Sequence, residues 1–529
     1  MPSIPVGSGP TPQGRPSRRV CLESSSPPAL TPKDLEQISR LGIPAEEVER
    51  QLAFFSSPPP APRLERPCRL DDGIHRLVPA AHEPLEAAWT AAAESGRLLK
   101  FVPASGAATR MFRDLQGQTS GATAQRGHFL DEIASFAFYP RLQERLAQNG
   151  LDLSELIRSG SAETVLDTLL EPGGLGYLDT PKALLDFHSY AGGARTSFEE
   201  HFVEATHYLA TPGGTCRFHF TVTPRHTDRF TSVLDRLRRP LERSLGVVLE
   251  VGFSTQSDST DTIAVDPENA PFRLEDDSLL FRPGGHGALL HNLGALGADI
   301  VFIKNIDNIS PERRHQTVAA WKRLLAGYLV DLQGRAFELL ELLETSPEDP
   351  GVVDRALELI TTEFSLVPPP FLAAADHQSR HSWAVDRLDR PMRVCGVVIQ
   401  AGEPGGGPFW VRETDGGLAG QIVESAQVDR SDPDQEKIWA SSTHFNPTDL
   451  VCALRDRHGQ PFDLSRFVDP TTAFISHKAY DGRPLKGLER PGLWNGSMAG
   501  WNTAFVEVPA ETFTPVKTLF DLLRPEHPP

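Results

Sequence analysis

Cysteine is scarce in this chain: five in 529 residues, at positions 21, 68, 216, 395 and 452, odd in number and never in a Cys-x-x-Cys pair. That pattern excludes a disulfide framework and a zinc knuckle, and it points to a reducing compartment, read as the cytoplasm. No apolar run approaches the roughly 20 residues that cross a bilayer, and the Pro-, Gly- and Ser-rich start carries no signal-peptide apolar segment. Positive charge is also short, with Lys+Arg 52 against Asp+Glu 70 and a formal net charge of -18. So acidic a chain argues against nucleic acid or an anionic membrane as the main partner, although it leaves room for a local cationic pocket. Walker A, G-x-S-x-G and H-E-x-x-H are missing as well.

What remains is an ordinary globular composition, 39% hydrophobic and 23% charged, in a chain long enough for more than one folding unit or for one large α/β domain with insertions. Residues 1–30 hold prolines, serines and arginines with little to bury, which predicts disorder. Thr31-Pro-Lys-Asp34 reads as a helix start, and Val48, Leu52 and Phe55 line one face of a second helix, so 31–95 is expected to be a small helical unit. From 96 to the end, beta-leaning runs at Leu98–Val102, Phe218–Val222, Val247–Val251, Ile300–Ile303, Arg393–Ile399 and Ala504–Val508 alternate with amphipathic stretches such as Val318 to Leu332. This predicts an α/β fold, a mixed sheet flanked by helices, with a helical insertion at about 113–178. Ligands of such sheets bind beyond the carboxyl ends of the strands.

The phrase Pro103-Ala-Ser-Gly-Ala-Ala-Thr-Arg-Met111 falls at such a strand end. Small residues keep the backbone bare, so the N–H groups of Gly106, Ala107, Ala108 and Thr109 can approach a phosphate while Arg110 supplies a cationic fork. Close packing of a helix on a sheet also selects small residues. Pro181-Lys182 adds another cation after the first phrase, although a surface Lys after a proline is commonplace. Gln256 ends Phe253-Ser-Thr-Gln256, where it can serve as a polar cap on a strand end, and Gly285 and His286 lie in Arg282-Pro-Gly-Gly-His-Gly287, which reads as a tight glycine-rich turn. Ala298-Asp-Ile-Val-Phe-Ile-Lys-Asn-Ile-Asp-Asn308 is an apolar strand ending in a carboxylate, the way an α/β fold delivers oxygen to Mg²⁺ beside phosphates. Asp307 is therefore the metal candidate, with Asn305 and Asn308 around it; capping a helix near Ser310 is the structural alternative. Glu403, in the Gly-rich Glu403-Pro-Gly-Gly-Gly-Pro408, belongs either to a loop over a sugar or to a turn between strands, and Asn495, between Trp494 and Trp501, either to a sugar site or to core packing around the tryptophans. His377 and His381 stand four apart without a Glu between them and read as a solvated loop.

These words, taken in order, resemble sugar-nucleotide pyrophosphorylases. The first is similar to L-A-A-G-x-G-T-R-M, except that Ala108 stands where the signature has its second Gly, and the strand ending at Asp307 is similar to Val-Phe-Val-Ser-Asn-Ile-Asp-Asn-Leu of the eukaryotic-type uridylyltransferases. Phe513-Thr-Pro-Val-Lys-Thr-Leu-Phe-Asp-Leu-Leu523 matches Phe-Leu-Pro-Val-Lys-Thr-x-x-Asp-Leu-Leu, and Thr443 to Leu450 and Leu488-Glu489 resemble two further elements. From about residue 31 onward the wording resembles a bacterial family catalogued as domain of unknown function 4301.

The resemblance implies a nucleotide-diphospho-sugar transferase-like fold and an enzyme that joins a nucleoside triphosphate to a sugar 1-phosphate with Mg²⁺. It assigns Arg110, Lys182 and Lys517 to phosphates, Asp307 to the metal, Gln256 with the Gly285-His286 loop to the base and sugar of the nucleotide, hinting at uridine triphosphate, and Asn446 and Glu489 to the sugar substrate; Lys517 could instead lay its stem on the surface with its charge in water. A noncatalytic nucleotide-sugar binding or regulatory protein on the same fold is the alternative, favoured by Ala108 and by the lack of an obvious second metal carboxylate.

Overall fold

The computed structural model describes residues 30–117, 120–210, 213–400, 402 and 405–527. The disorder expected for 1–30 and the candidate Glu403 lie outside the described residues, Leu30 apart.

A nine-stranded sheet is the centre of the molecule. Its strands are β1 (Arg69–Leu70), β2 (Gly73–His75), β3 (Leu98–Pro103), β4 (Thr215–Val222), β5 (Val248–Thr255), β6 (Ile300–Lys304), β7 (Met392–Ile399), β8 (His444–Ala453) and β9 (Asn502–Glu507). In space they run β1-β2-β9-β7-β8-β6-β3-β4-β5. Neighbours are parallel throughout except at β8, which is antiparallel to both β6 and β7. The carboxyl ends of β3, β4, β5 and β6 thus meet at one edge, and the loops that leave them carry the glycine-rich phrase and Asp307.

Helices α1 (Pro32–Leu41) and α2 (Ala45–Ser56) open the described chain, and α3 (Pro79–Glu94) precedes β3. After β3 come α4 (Ser120–Glu132), α5 (Tyr139–Gln148), α6 (Leu153–Arg158) and α7 (Ala162–Leu170). Crossover helix α8 (Ser197–Leu209) leads into β4, and α9 (Thr227–Leu245) joins β4 to β5. After α10 (Leu289–Ala295) and β6 come α11 (His315–Thr345), α12 (Pro350–Glu363) and α13 (His377–Leu388).

Side-chain alternation along the strands separates two cores. On one face Leu98, Val102, Phe218, Phe220 and Phe302 pack with Phe198 and Phe202 of α8 and Leu325 and Leu329 of α11. On the other, Phe101, Val301 and Ile303 pack with Leu293 of α10, Trp410 and Trp501. A separate core joins Ala108, Met111 and Phe112 to the insertion helices and to Val516, Leu519 and Leu522 near the C-terminus.

All six beta-leaning runs are strands, and the Val318–Leu332 pattern lies in α11. The stretch 31–95 divides differently from the expected helical unit. Thr31 does cap α1 through a capping box with Asp34, and α1 and α2 pack on Ile263 and Val265. Leu64–His75, however, supplies three short strands, one pairing with Gly407–Arg412 and two joining the central sheet, while α3 packs on that sheet. Strands this short show no period in sequence, so their partners alone define them. His377 and His381 are also not in a loop: Asp376 caps α13, and their Nε2 atoms bond to the carbonyls of Pro347 (2.7 Å) and Leu343 (3.0 Å).

Candidate functional site

The loop leaving β3 is exposed at Ser105, Gly106 and Ala107. A Cβ built on Gly106 would meet nothing within 4 Å, so this backbone faces open space, as a phosphate-binding turn requires. Ala108 behaves differently. It is 0% exposed and its methyl belongs to the core with Met111 and Phe112, turned away from the open side. Thr109 and Arg110 follow on the exposed side of the same short turn.

Backbone pairing then brings the second cation to this loop. Ala107 and Pro181 form a β-bridge, and the Lys182 N–H donates to the Gly106 carbonyl at 3.2 Å. Lys182 Nζ donates to Asp307 Oδ2 at 2.9 Å and to the Val516 carbonyl. Lys517 Nζ stands 3.1 Å from Asp307 Oδ1 and 3.0 Å from Oδ2. Residues 106, 182, 307 and 517 therefore form one cluster, although four hundred positions separate the first from the last.

Asp307 is delivered by β6 and locked by its neighbours. The Val516 N–H donates to the Asp307 carbonyl at 2.9 Å, and Asn308 pairs with Pro515 across a bridge. Asn308, 1% exposed, accepts from the Thr514 N–H (3.0 Å) and donates to the Pro447 carbonyl (3.3 Å). That carbonyl is offered by an irregularity where β8 loses register with β7 between Gly396 and Val398, with Thr448 at φ 56°. Asn446 sits in the same irregularity, its Oδ1 accepting from the Thr448 N–H at 3.3 Å. The segment bearing Lys517 is closed by Asp521, whose Oδ2 accepts from the N–H groups of Lys517 and Thr518 at 2.7 Å each. Asp307 does not cap a helix; the turn before α11 starts after Pro311.

Burial alone would raise the Asp307 carboxyl, but Lys182 and then Lys517 outweigh it and hold the group below the ordinary carboxylate value. Burial also depresses the Lys182 ammonium, against the attraction of Asp307. Lys517 is the accessible member of the trio, its side chain 55% exposed. In the free protein, then, the carboxylate serves as the counter-ion of two lysines, and any anion entering must compete with it.

A second group gathers around the 282–287 loop. His286 stacks on Trp494 with ring centroids 4.2 Å apart, and its Nδ1 accepts from the Leu493 N–H at 3.1 Å, which places the proton on Nε2, 3.9 Å from Glu424 Oε1. Burial lowers its pKa, against Glu424 and Glu489. The glycines here serve protein packing: a Cβ on Gly285 would stand 2.3 Å from Glu489 Oε2, and one on Gly287 2.0 Å from the Pro491 carbonyl. Glu489 is engaged by Lys478 at 2.5 Å. Gln256, just past the end of β5, donates to Asp261 at 3.1 Å. Asn495 bonds to the Ile422 carbonyl at 3.1 Å and lines a separate groove of about 1210 Å³ with Arg390, Arg412, Asp463 and Arg466, none of them in the Asp307 cluster.

Asn308, expected only as part of the polar surroundings of Asp307, acts as a staple, and Asp521, which has no expected role, acts as a cap. Lys100, Glu204 and Lys304 have no expected role either. Lys304 ends an otherwise apolar strand and is fully buried there, and a lysine at such a place is the signal the sequence offers.

No curated protein matches the chain. Among solved structures it is similar to the uridine diphosphate N-acetylglucosamine pyrophosphorylase from Trypanosoma brucei, at 13% identity over 90% of this chain and 74% of that one, with a TM-score of 0.44. It is likewise similar to a UDP-glucose pyrophosphorylase variant from Leishmania major, at 13% identity over 94% of this chain and 79% of that one, with a TM-score of 0.43. No helix among the described residues is long and apolar enough to cross a membrane. The family described as Domain of unknown function (DUF4301) matches residues 31–528, and the chain belongs to it.

Proposed function

We propose that the protein is a nucleotidyltransferase that forms a nucleotide sugar and pyrophosphate from a nucleoside triphosphate and a sugar 1-phosphate. One observation carries this reading: Lys182 and Lys517 converge on Asp307 beside the bare backbone of Gly106, at the strand-end edge of the sheet. Two ammonium groups beside an exposed glycine turn suit a polyanion, and they stand in a protein of net charge -18. An oxygen of the sugar 1-phosphate attacks the α-phosphorus. The bond from that phosphorus to the bridging oxygen of the β-phosphate breaks, and pyrophosphate leaves with the electron pair. Arg110 and Lys182 clamp phosphates, Lys517 meets charge that builds up during transfer, and the backbone of 106–109 orients the triphosphate. Gln256 and the His286 loop face the base, and uridine is the first base to try.

Mg²⁺ belongs to the same proposal. Asp307 would hold it, and its charge would neutralise part of that on the phosphates. Asp307 is a single carboxylate with both oxygens bonded to lysines, and among the described residues no group of three His, Cys, Asp or Glu could hold a metal. The fit is therefore to a cation shared with phosphate oxygens and water. A screen of nucleoside triphosphates against sugar 1-phosphates with Mg²⁺, reading pyrophosphate release, tests the function. Failure of every pair, together with tight binding of a nucleotide sugar, selects the noncatalytic reading, which the prior engagement of both Asp307 oxygens favours.

A further inference from the structure

Helix α8 carries Ser197, His201, Glu204 and Tyr208 at spacings of four, three and four residues, so they form one polar stripe. All four are 0% exposed. Phe198, Phe202 and Ala205 of the same helix enter the apolar core, which makes the stripe a deliberate departure from a greasy crossover helix.

The stripe ends on the residues that lead into Asp307. Ser197 Oγ donates to the Ile306 carbonyl, and His201 Nε2 lies 3.2 Å from the same oxygen, so that nitrogen carries the proton. Glu204 Oε2 accepts from Lys304 Nζ at 2.7 Å, while its Oε1 accepts from Lys100 Nζ at 3.2 Å and from the Tyr208 hydroxyl at 3.1 Å. Lys304 is the last residue of β6, and Ile306 is bonded directly to Asp307. Burial brings the Lys100 ammonium down to about 7, and Glu204 opposes that fall.

Stability does not explain such an arrangement. Fully buried ionised groups can generally be exchanged for apolar side chains of similar volume without loss, or with gain. What an ionic and hydrogen-bonded stripe supplies is a fixed position for the atoms it grips. The other ties on this loop act on Asp307 and Asn308, from residues 514–516, the Pro447 carbonyl, Lys182 and Lys517, whereas the stripe grips Lys304 and Ile306 just before them.

We infer that Ser197, His201 and Glu204 are positioning residues for Asp307: by holding the Ile306 carbonyl and the Lys304 ammonium from one helix face, they set where the carboxylate stands between Lys182 and Lys517. The inference rests on the reading of Asp307 as the carboxylate that shares a cation with phosphate.

The experiment uses the full chain with Mn²⁺ and inorganic pyrophosphate as probes. Mn²⁺ affinity is measured at saturating pyrophosphate, pyrophosphate affinity is measured alone in chelator, and the melting temperature is followed in parallel. Ser197→Ala is expected to weaken Mn²⁺ about tenfold, with metal-free pyrophosphate binding within about twofold of wild type, and Ser197→Thr, which keeps the hydroxyl, restores most of the Mn²⁺ affinity. Glu204→Gln is expected to shift Mn²⁺ in the same direction; if it does not fold, the Ser197 pair decides. A lowered melting temperature in Ser197→Ala with Mn²⁺ affinity unchanged makes the stripe purely structural and overturns the inference while leaving the proposed function standing. Wild type that binds neither probe overturns both.

Discussion

Asp307 is shared between two lysines, and the consequence for an incoming anion is direct. A carboxylate in that place neutralises the charges a phosphate would use, so removing it should help metal-free phosphate binding and abolish cation-dependent chemistry. Asp307→Asn is expected to bind inorganic pyrophosphate in chelator several-fold more tightly than wild type, by calorimetry, and to lose Mg²⁺-dependent turnover. Weaker binding by a folded Asp307→Asn would show that the lysines are not the anion site. Lys517→Ala should cut turnover by about 10²-fold or more, with nucleotide binding much less affected, if its charge is used mainly in the transition state. Ala108 gives the opposite lesson. The methyl that the glycine signature marks as a crowding risk is packed among Met111 and Phe112, so Ala108→Gly leaves a small cavity and frees the unfolded chain. We expect a loss of about 1 kcal/mol in denaturant unfolding and no gain in nucleotide affinity.

Among the elements, strands with strong β-branched runs could be read directly, since Ile300–Ile303 and Arg393–Ile399 have no competing helical period. Strand β8 could not. Its ten residues are all buried, but Asn446-Pro-Thr448 interrupts the pattern where the strand loses register, and a proline with two polar neighbours reads as a loop. The polar stripe of α8 was hidden for a related reason: a helix buried on nearly every side shows no simple amphipathic contrast. The 282–287 loop was legible as glycine-rich but not as packing, because the atoms filling the space belong to residues 489–491, two hundred positions on. Gly287→Ala puts a methyl 2.0 Å from a backbone carbonyl that cannot swing aside. Roughly 2 kcal/mol or more of destabilisation is expected, seen as a fall in melting temperature. An unchanged melting temperature would mean that the loop is free to move.

For the molecule as a whole, buried histidines make stability fall as pH drops below neutrality. Burial lowers the pKa of His201, His219, His226, His286, His315 and His527, the last to about 3. Each of these groups resists protonation more when folded, whereas the unfolded chain takes up protons near the ordinary histidine value of about 6.5. The stability they contribute is complete above that pH and declines as pH falls toward the folded values, by about 1.4 kcal/mol per pH unit for each proton in excess on the unfolded chain. The melting temperature at pH 5.5 should therefore lie several degrees below that at pH 7.5. A flat profile over that range would mean that these rings are hydrated in solution.

The sequence by itself determined the strands that read as apolar runs, the capped start at Thr31, and the residue types able to meet phosphate, because propensity, capping and charge are properties of neighbours along the chain. It also named Gly106, Lys182, Asp307 and Lys517 as members of one chemistry through the order of their words. Tertiary structure alone decided that Lys182 and Lys517 share the two oxygens of one carboxylate, that Ala108 faces inward, that Asn495 lines another groove, and that α8 grips the loop before Asp307. Each of those is a distance between residues far apart in the chain, fixed by which strands pair and which faces bury, and such distances have no local signature.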